Sequence, residues 1–90
     1  MMKGRYLEMT FRKGRPLAAY LHLPRAAGVK SARTEEMAPG ILTDFAASGE
    51  PIGLEITAPT QVTAEQINAV LTQLCLAPIT PEELAPLKAL

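Results

Sequence analysis

Ninety residues with zero net charge, one cysteine and no tryptophan make one domain with a thin core, since domains usually hold roughly 100–150 residues. A single cysteine excludes an internal disulfide and points to a reducing compartment. No apolar run approaches the roughly 20 residues that span a bilayer, and no apolar run follows the charged Met-Met-Lys-Gly-Arg start to make a signal peptide; the expectation is a soluble cytoplasmic protein without a membrane segment.

The zero charge conceals a split. Up to Thr34 there are eight basic residues against Glu8; from Glu35 onward there are eight acids against Lys88. The front is therefore +7 and the remainder −7. Two readings follow. Either the front hairpin is a patch for phosphate or an acidic partner, or strands pair their charges across the sheet, each exposed pair worth under about 1 kcal/mol.

In chain order, Arg5–Phe11 predicts a first strand, with Leu7, Met9 and Phe11 on one face and Tyr6, Glu8 and Thr10 on the other. Arg12-Lys13-Gly14-Arg15 is a turn, Gly14 supplying a positive φ. Leu17–Leu23 predicts a second strand, with Leu17, Ala19, Leu21 and Leu23 in the apolar row and Ala18, Tyr20 and His22 opposite. Pro24 ends it, having no N–H for a ladder. Val29–Met37 is polar and lacks clear alternation; as a strand it belongs at an edge, where charges discourage pairing with other chains. Ala38-Pro39-Gly40 turns into a central hairpin, Gly40–Thr57. Its second arm alternates Ile52, Leu54 and Ile56 with Gly53, Glu55 and Thr57. Ala47-Ser48-Gly49-Glu50 closes it, with Gly49 in the left-handed position of a bulged loop.

The period then changes from two to 3.6. Thr63-Ala-Glu-Gln66 has the form of a capping box, and Ile67, Val70, Leu71, Leu74 and Cys75 recur on one helical stripe. Pro78 stops that helix near Leu76. Thr80-Pro81-Glu82-Glu83 starts a second helix, limited by Pro86 to little more than one turn. The fold class expected is α+β: one domain over 1–90, an antiparallel four- or five-stranded meander sheet (residues 5–57), with the helical tail (63–90) packed on one face.

The catalytic inventory is close to empty. His22 is the only histidine and Cys75 the only cysteine, too few for a metal site, and Cys75 sits on an apolar stripe. No phosphate-loop or dinucleotide glycine pattern occurs. No catalytic residue, cofactor or metal is expected. Asp44 and Glu55 could face each other across the central hairpin as an acid–base pair; a solvent-facing polar surface accounts for both with less machinery. In that reading Gly49, Gly53, Asp44 and Glu55 shape the hairpin, Gly53 marks a bulge or the approach of another backbone, and Arg5, Arg15 or Lys3 supplies a partner for a carboxylate.

The central hairpin reads Gly40-Ile-Leu-Thr-Asp44-Phe45, then Gly49, then Pro51-Ile-Gly53-Leu54-Glu55-Ile56. In this motif it resembles the domain of unknown function 2283 family of small bacterial proteins. Leu17–Leu23 is similar to the family's second strand and Thr34-Glu35-Glu36 to its third, so residues 5–57 are covered. Asp44, Phe45, Gly49, Gly53 and Glu55 match the pattern. Arg12, Lys13 and Arg15 replace the acids usual in the first turn, and Ala46 replaces the second acid of the central turn. The resemblance implies no established chemistry; it implies an interaction module, antitoxin-like, opposite a RelE-like toxin. A nucleic-acid binder using the basic front and a small enzyme using Asp44 and Glu55 are the alternatives. A thin core, amphipathic helices and divided charge all predict a homodimer.

Overall fold

The computed structural model describes residues 4–88. Five strands form one antiparallel sheet: β1 (Tyr6–Arg12), β2 (Arg15–His22), β3 (Arg33–Ala38), β4 (Ile41–Phe45) and β5 (Pro51–Ile56). Two helices follow, α1 (Ala64–Gln73) and α2 (Pro81–Lys88), after a short 3₁₀ turn at Pro59–Gln61. The α+β class and the helical tail are as the sequence predicts. The last two residues of that tail, and Lys3, lie outside the described residues.

The strand order corrects the expected meander. It runs β1-β2-β5-β4-β3, so β2 pairs with β5 rather than with β3. Burial decides this order. Ile52, Leu54 and Ile56 of β5 are all fully buried, which requires a neighbour on each side. The polar β3, by contrast, keeps Arg33, Thr34, Glu35 and Glu36 in solvent only at an edge. The long connection 23–32 carries the chain to that far edge, anchored by Leu23 N–H donating to the Ile52 carbonyl at 3.2 Å and Ala32 N–H to the Phe45 carbonyl at 2.7 Å.

One face of the sheet carries Leu7, Ala19, Leu21, Ile41, Leu54 and Ile56. Onto it pack Ile67, Val70 and Leu71 of α1, Ile79, and Leu84 and Leu87 of α2. Burying such side chains stabilises by roughly 1.5–3 kcal/mol each, which is why this face and not the other attracts the helices. Thr43 is the exception in the layer, fully buried with a hydroxyl that has no partner among the described residues.

Phe11 and Leu17 depart from the predicted apolar row, being 54% and 52% exposed. The β2–β5 pairing ends at Ala19 opposite Ile56, so the β1–β2 hairpin runs on past β5 as an arm. A bulge at Leu17, where Thr10 faces Ala18 but Phe11 faces Pro16, turns that residue off its row. The tip is a two-residue turn with positive φ at both Lys13 (53°) and Gly14 (76°), the backbone of a type I′ hairpin.

Beside this apolar packing, α2 is tied to the residue before β1 by charge. The Arg5 guanidinium grips the Glu83 carboxylate through Nε at 2.7 Å and Nη2 at 2.8 Å. It also donates to the Ala77 and Pro78 carbonyls, both at 2.7 Å. Arg5 and Thr80 hold the Glu83 carboxyl below its usual pKa, against the opposing effect of burial. Glu83 is also half of a capping box, accepting from Thr80 N–H at 2.8 Å while Thr80 Oγ1 accepts from Glu83 N–H at 3.1 Å. Arg5 is therefore spent on α2 rather than on Asp44 or Glu55. Pro86 does not confine α2 to one turn: the helix continues to Lys88, because Leu84 and Leu87 anchor it on either side of the proline in the core.

At its start α1 has the predicted capping box between Thr63 and Gln66. Its end differs from expectation. The helix stops at Gln73, and Cys75 lies beyond the cap, exposed, with φ 61°. Cys75 N–H donates to the Thr72 carbonyl at 3.0 Å and Leu76 N–H to the Leu71 carbonyl at 2.8 Å, a Schellman closure whose left-handed position glycine normally fills. A side chain there costs about 1 kcal/mol. Cys75→Gly should therefore raise the melting temperature by about 4–8 °C; an unchanged or lowered midpoint in calorimetry would show that the left-handed cap carries no strain.

Candidate functional site: the uncovered sheet face

The face opposite the helices is polar and aromatic. Two rows of directly opposed residues cross all five strands. One runs Tyr6, His22, Gly53, Asp44, Thr34; the other runs Glu8, Tyr20, Glu55, Leu42, Glu36. Alternation places these side chains away from the core, because their neighbours Leu7, Leu21, Leu54 and Thr43 point into it.

Gly53 organises this face. A Cβ built on it would lie 2.0 Å from the Tyr20 hydroxyl oxygen and 2.2 Å from the carbon bearing it. The Tyr20 ring thus lies across Gly53, occupying the trough that the missing side chain leaves. In that way a residue of β2 reaches β4, two strands or about 10 Å away, and its hydroxyl donates to Asp44 Oδ2 at 2.7 Å. Thr34 of β3 donates to Asp44 Oδ1 at 2.5 Å. Both oxygens of Asp44 are taken by hydroxyls, one from each side. Burial, then the hydrogen bond to Asp44 and the charge of that carboxylate, pushes the Tyr20 phenol well above its ordinary range. Arg25 opposes and Glu55 adds to the shift.

The cluster continues toward β1. Tyr6 stacks on His22 with ring centroids 4.4 Å apart and planes at 12°, and Tyr20 meets His22 at 4.7 Å with a tilt of 58°. His22 Nε2 lies 2.9 Å from Glu8 Oε1. His22 stands beside Tyr20 on the polar face, as the alternation predicts.

The motif residues resolve as follows. Asp44 and Glu55 share a face but are not directly opposed: Asp44 faces Gly53, and Glu55 faces Leu42. Their partners differ from those expected, since Asp44 is held by Tyr20 and Thr34 and not by a basic residue of the front hairpin. The object crossing Gly53 is a tyrosine ring, not another backbone. The expected bulge is nonetheless adjacent, because Asp44 faces Gly53 while Phe45 faces Pro51, leaving Ile52 extra. Gly49 has φ 92° and closes the loop, with its N–H on the Ala46 carbonyl at 2.9 Å. Phe45 is buried and carries the Arg33 guanidinium 4.1 Å above its ring.

Tyr20 and Thr34, which hold Asp44, are not singled out by sequence reasoning. The chain shows only that Tyr20 belongs to a polar row; that it lies two strands from Asp44 with Gly53 between them follows from the β2-β5-β4 order.

Among the described residues no three His, Cys, Asp or Glu side chains are grouped to hold a metal ion, and no helix is long and apolar enough to cross a membrane. A shallow groove lined by Pro59, Val62, Ala64, Leu84 and Leu87 lies on the helix side of the sheet, away from Asp44.

The trough makes a coupled prediction. Gly53→Ala should displace Tyr20 from Asp44 and destabilise by about 2 kcal/mol, the worth of a hydrogen bond to a charged group. In a Tyr20→Ala background the same substitution should cost only a few tenths. Additive losses in denaturant unfolding of the four proteins would refute the link.

No curated protein and no solved structure matches the chain. Residues 18–58, from within β2 to the end of β5, match the family described as Protein of unknown function (DUF2283), and the resemblance carried by Asp44, Phe45, Gly49, Gly53 and Glu55 is borne out over that segment.

Proposed function

We infer that this chain is a small protein-interaction module that works as a homodimer and binds rather than catalyses. The observation that carries the reading is the β1–β2 arm. It is an edge hairpin that projects past β5, and its projecting part holds Phe11 and Leu17, the two most exposed large apolar side chains among the described residues. Exposed apolar groups gathered on one projecting element mark a contact surface. The opposite edge, β3, is guarded by Arg33, Glu35 and Glu36 and by a bulge after Glu36.

Binding is favoured over acid–base chemistry because both Asp44 oxygens are engaged by hydroxyls and Glu55 stands opposite Leu42 rather than Asp44, so the two carboxylates are not arranged as a pair. The exposed thiol of Cys75 fits a reducing cytoplasm. An antitoxin-like role, with a toxin as the further partner, rests on the family resemblance and on this contact surface.

Nucleic-acid binding is the second reading, favoured by Arg12, Lys13 and Arg15 at the arm's tip, none of which forms an ion pair among the described residues. A basic two-stranded ribbon is a shape that the major groove admits. Light scattering tests the first reading: at tens of micromolar in low salt the mass should be twice that of the chain. A monomer mass under those conditions overturns it, and a salt-sensitive shift of duplex DNA by the monomer would establish the second reading in its place.

A further inference from the structure

Resting on the homodimer reading, we propose that the basic tip of each protomer's arm docks on the uncovered sheet face of a second copy, and that this contact is reciprocal about a two-fold axis. The two surfaces are complementary in charge. The face carries Glu8, Glu36, Asp44 and Glu55. The tip carries Arg12, Lys13 and Arg15, all exposed and without an ion pair among the described residues. A tip cannot fold back onto its own face, because both lie in the same sheet. A second copy can present one to the other.

The geometry suits the exchange. Residues 15–18 of β2 continue past the pairing with β5, a reach of about 13 Å at the rise of an extended strand. Phe11 and Leu17 ride on this arm with half their surface in water, apolar area that a second copy would cover. The receiving face offers the rings of Tyr6 and Tyr20 among its carboxylates, and guanidinium groups prefer that combination, stacking on aromatic faces while donating to carboxylates. A two-fold axis makes each protomer donor and acceptor at once, so the contact closes as a dimer instead of growing into a filament.

Two charge-reversed proteins and their mixture test this. Arg12→Glu with Arg15→Glu reverses the tip; Glu8→Arg with Glu55→Arg reverses the face. Each alone should raise the dimer dissociation constant at least about 100-fold, since like charges then meet at both contacts. Mixed in equal amounts they should restore a heterodimer, because both contacts become opposite in sign again, and the rescue itself shows that both proteins fold. Glu65→Arg with Glu82→Arg, which alters charge by the same amount on the helices, should not rescue the tip variant. If the face variant does not fold, Glu8→Gln with Glu55→Gln should still weaken the dimer about tenfold.

A wild-type monomer overturns the homodimer reading and this contact together. A wild-type dimer whose tip and face variants stay dimeric overturns the contact alone. Rescue by the helix variant reduces the effect to bulk charge and also overturns it. So does a tip variant that loses DNA or anionic-vesicle binding while remaining a dimer.

Discussion

A tyrosine ring laid across a glycine is the constraint on which the polar side of this sheet depends. Tyr20 stands on β2, its acceptor Asp44 on β4, and only an absent side chain on β5 lets the ring pass between them. The arrangement ties the N-terminal hairpin to the β3–β4–β5 unit at a point where the ladder alone pairs just four residues of β2 with β5. It also explains two of the motif positions in physical terms. Gly53 is a passage and Asp44 a terminus, with Thr34 holding the far carboxylate oxygen in place. Because a charged acceptor binds a hydroxyl more strongly than a neutral one does, the cross-strand link is sturdier than its exposure suggests.

The helical side is held by different means. Hydrophobic burial brings α1 and α2 to the sheet, and Arg5 fixes where α2 sits through a forked grip on Glu83 and two carbonyls of the preceding loop. This pair links the basic front to the acidic tail, so part of the charge division is an intramolecular clasp. What remains is unevenly distributed. Cations collect at the tip of the arm, and carboxylates collect on the open face. A molecule of zero net charge is thereby left with two separated surfaces of opposite sign, and that separation is what makes self-association physically reasonable.

Much of this was legible in the chain. Period-two alternation located β1, β2, β4 and β5, the capping box placed the start of α1, and Gly49 marked its loop. Strand order was not legible, because alternation says which face a residue takes and nothing of which strand lies beside it. Cys75 departs from its predicted place for a related reason: the apolar stripe continues through Leu74 and Cys75, yet the Schellman closure ends the helix three residues before the proline signal does. Phe11 and Leu17 fit the apolar row by pattern, but their burial depends on how far β5 extends. At the site, Asp44 and Gly53 could be picked out, while the identity of the object crossing Gly53 required the register of three strands together.

The state of the Tyr20 phenol tests the organising contact most directly. In a Tyr6→Phe protein Tyr20 is the sole tyrosine, and its ionisation can be followed by ultraviolet absorbance as pH rises. Burial under the cross-strand bond to Asp44 predicts a titration well above the usual tyrosine value of about 10, moving back toward it when Asp44→Asn removes the charge. A phenol that ionises near about 10 with Asp44 intact would mean that the ring does not lie over Gly53 against the carboxylate, and the open face would lose the contact that organises it.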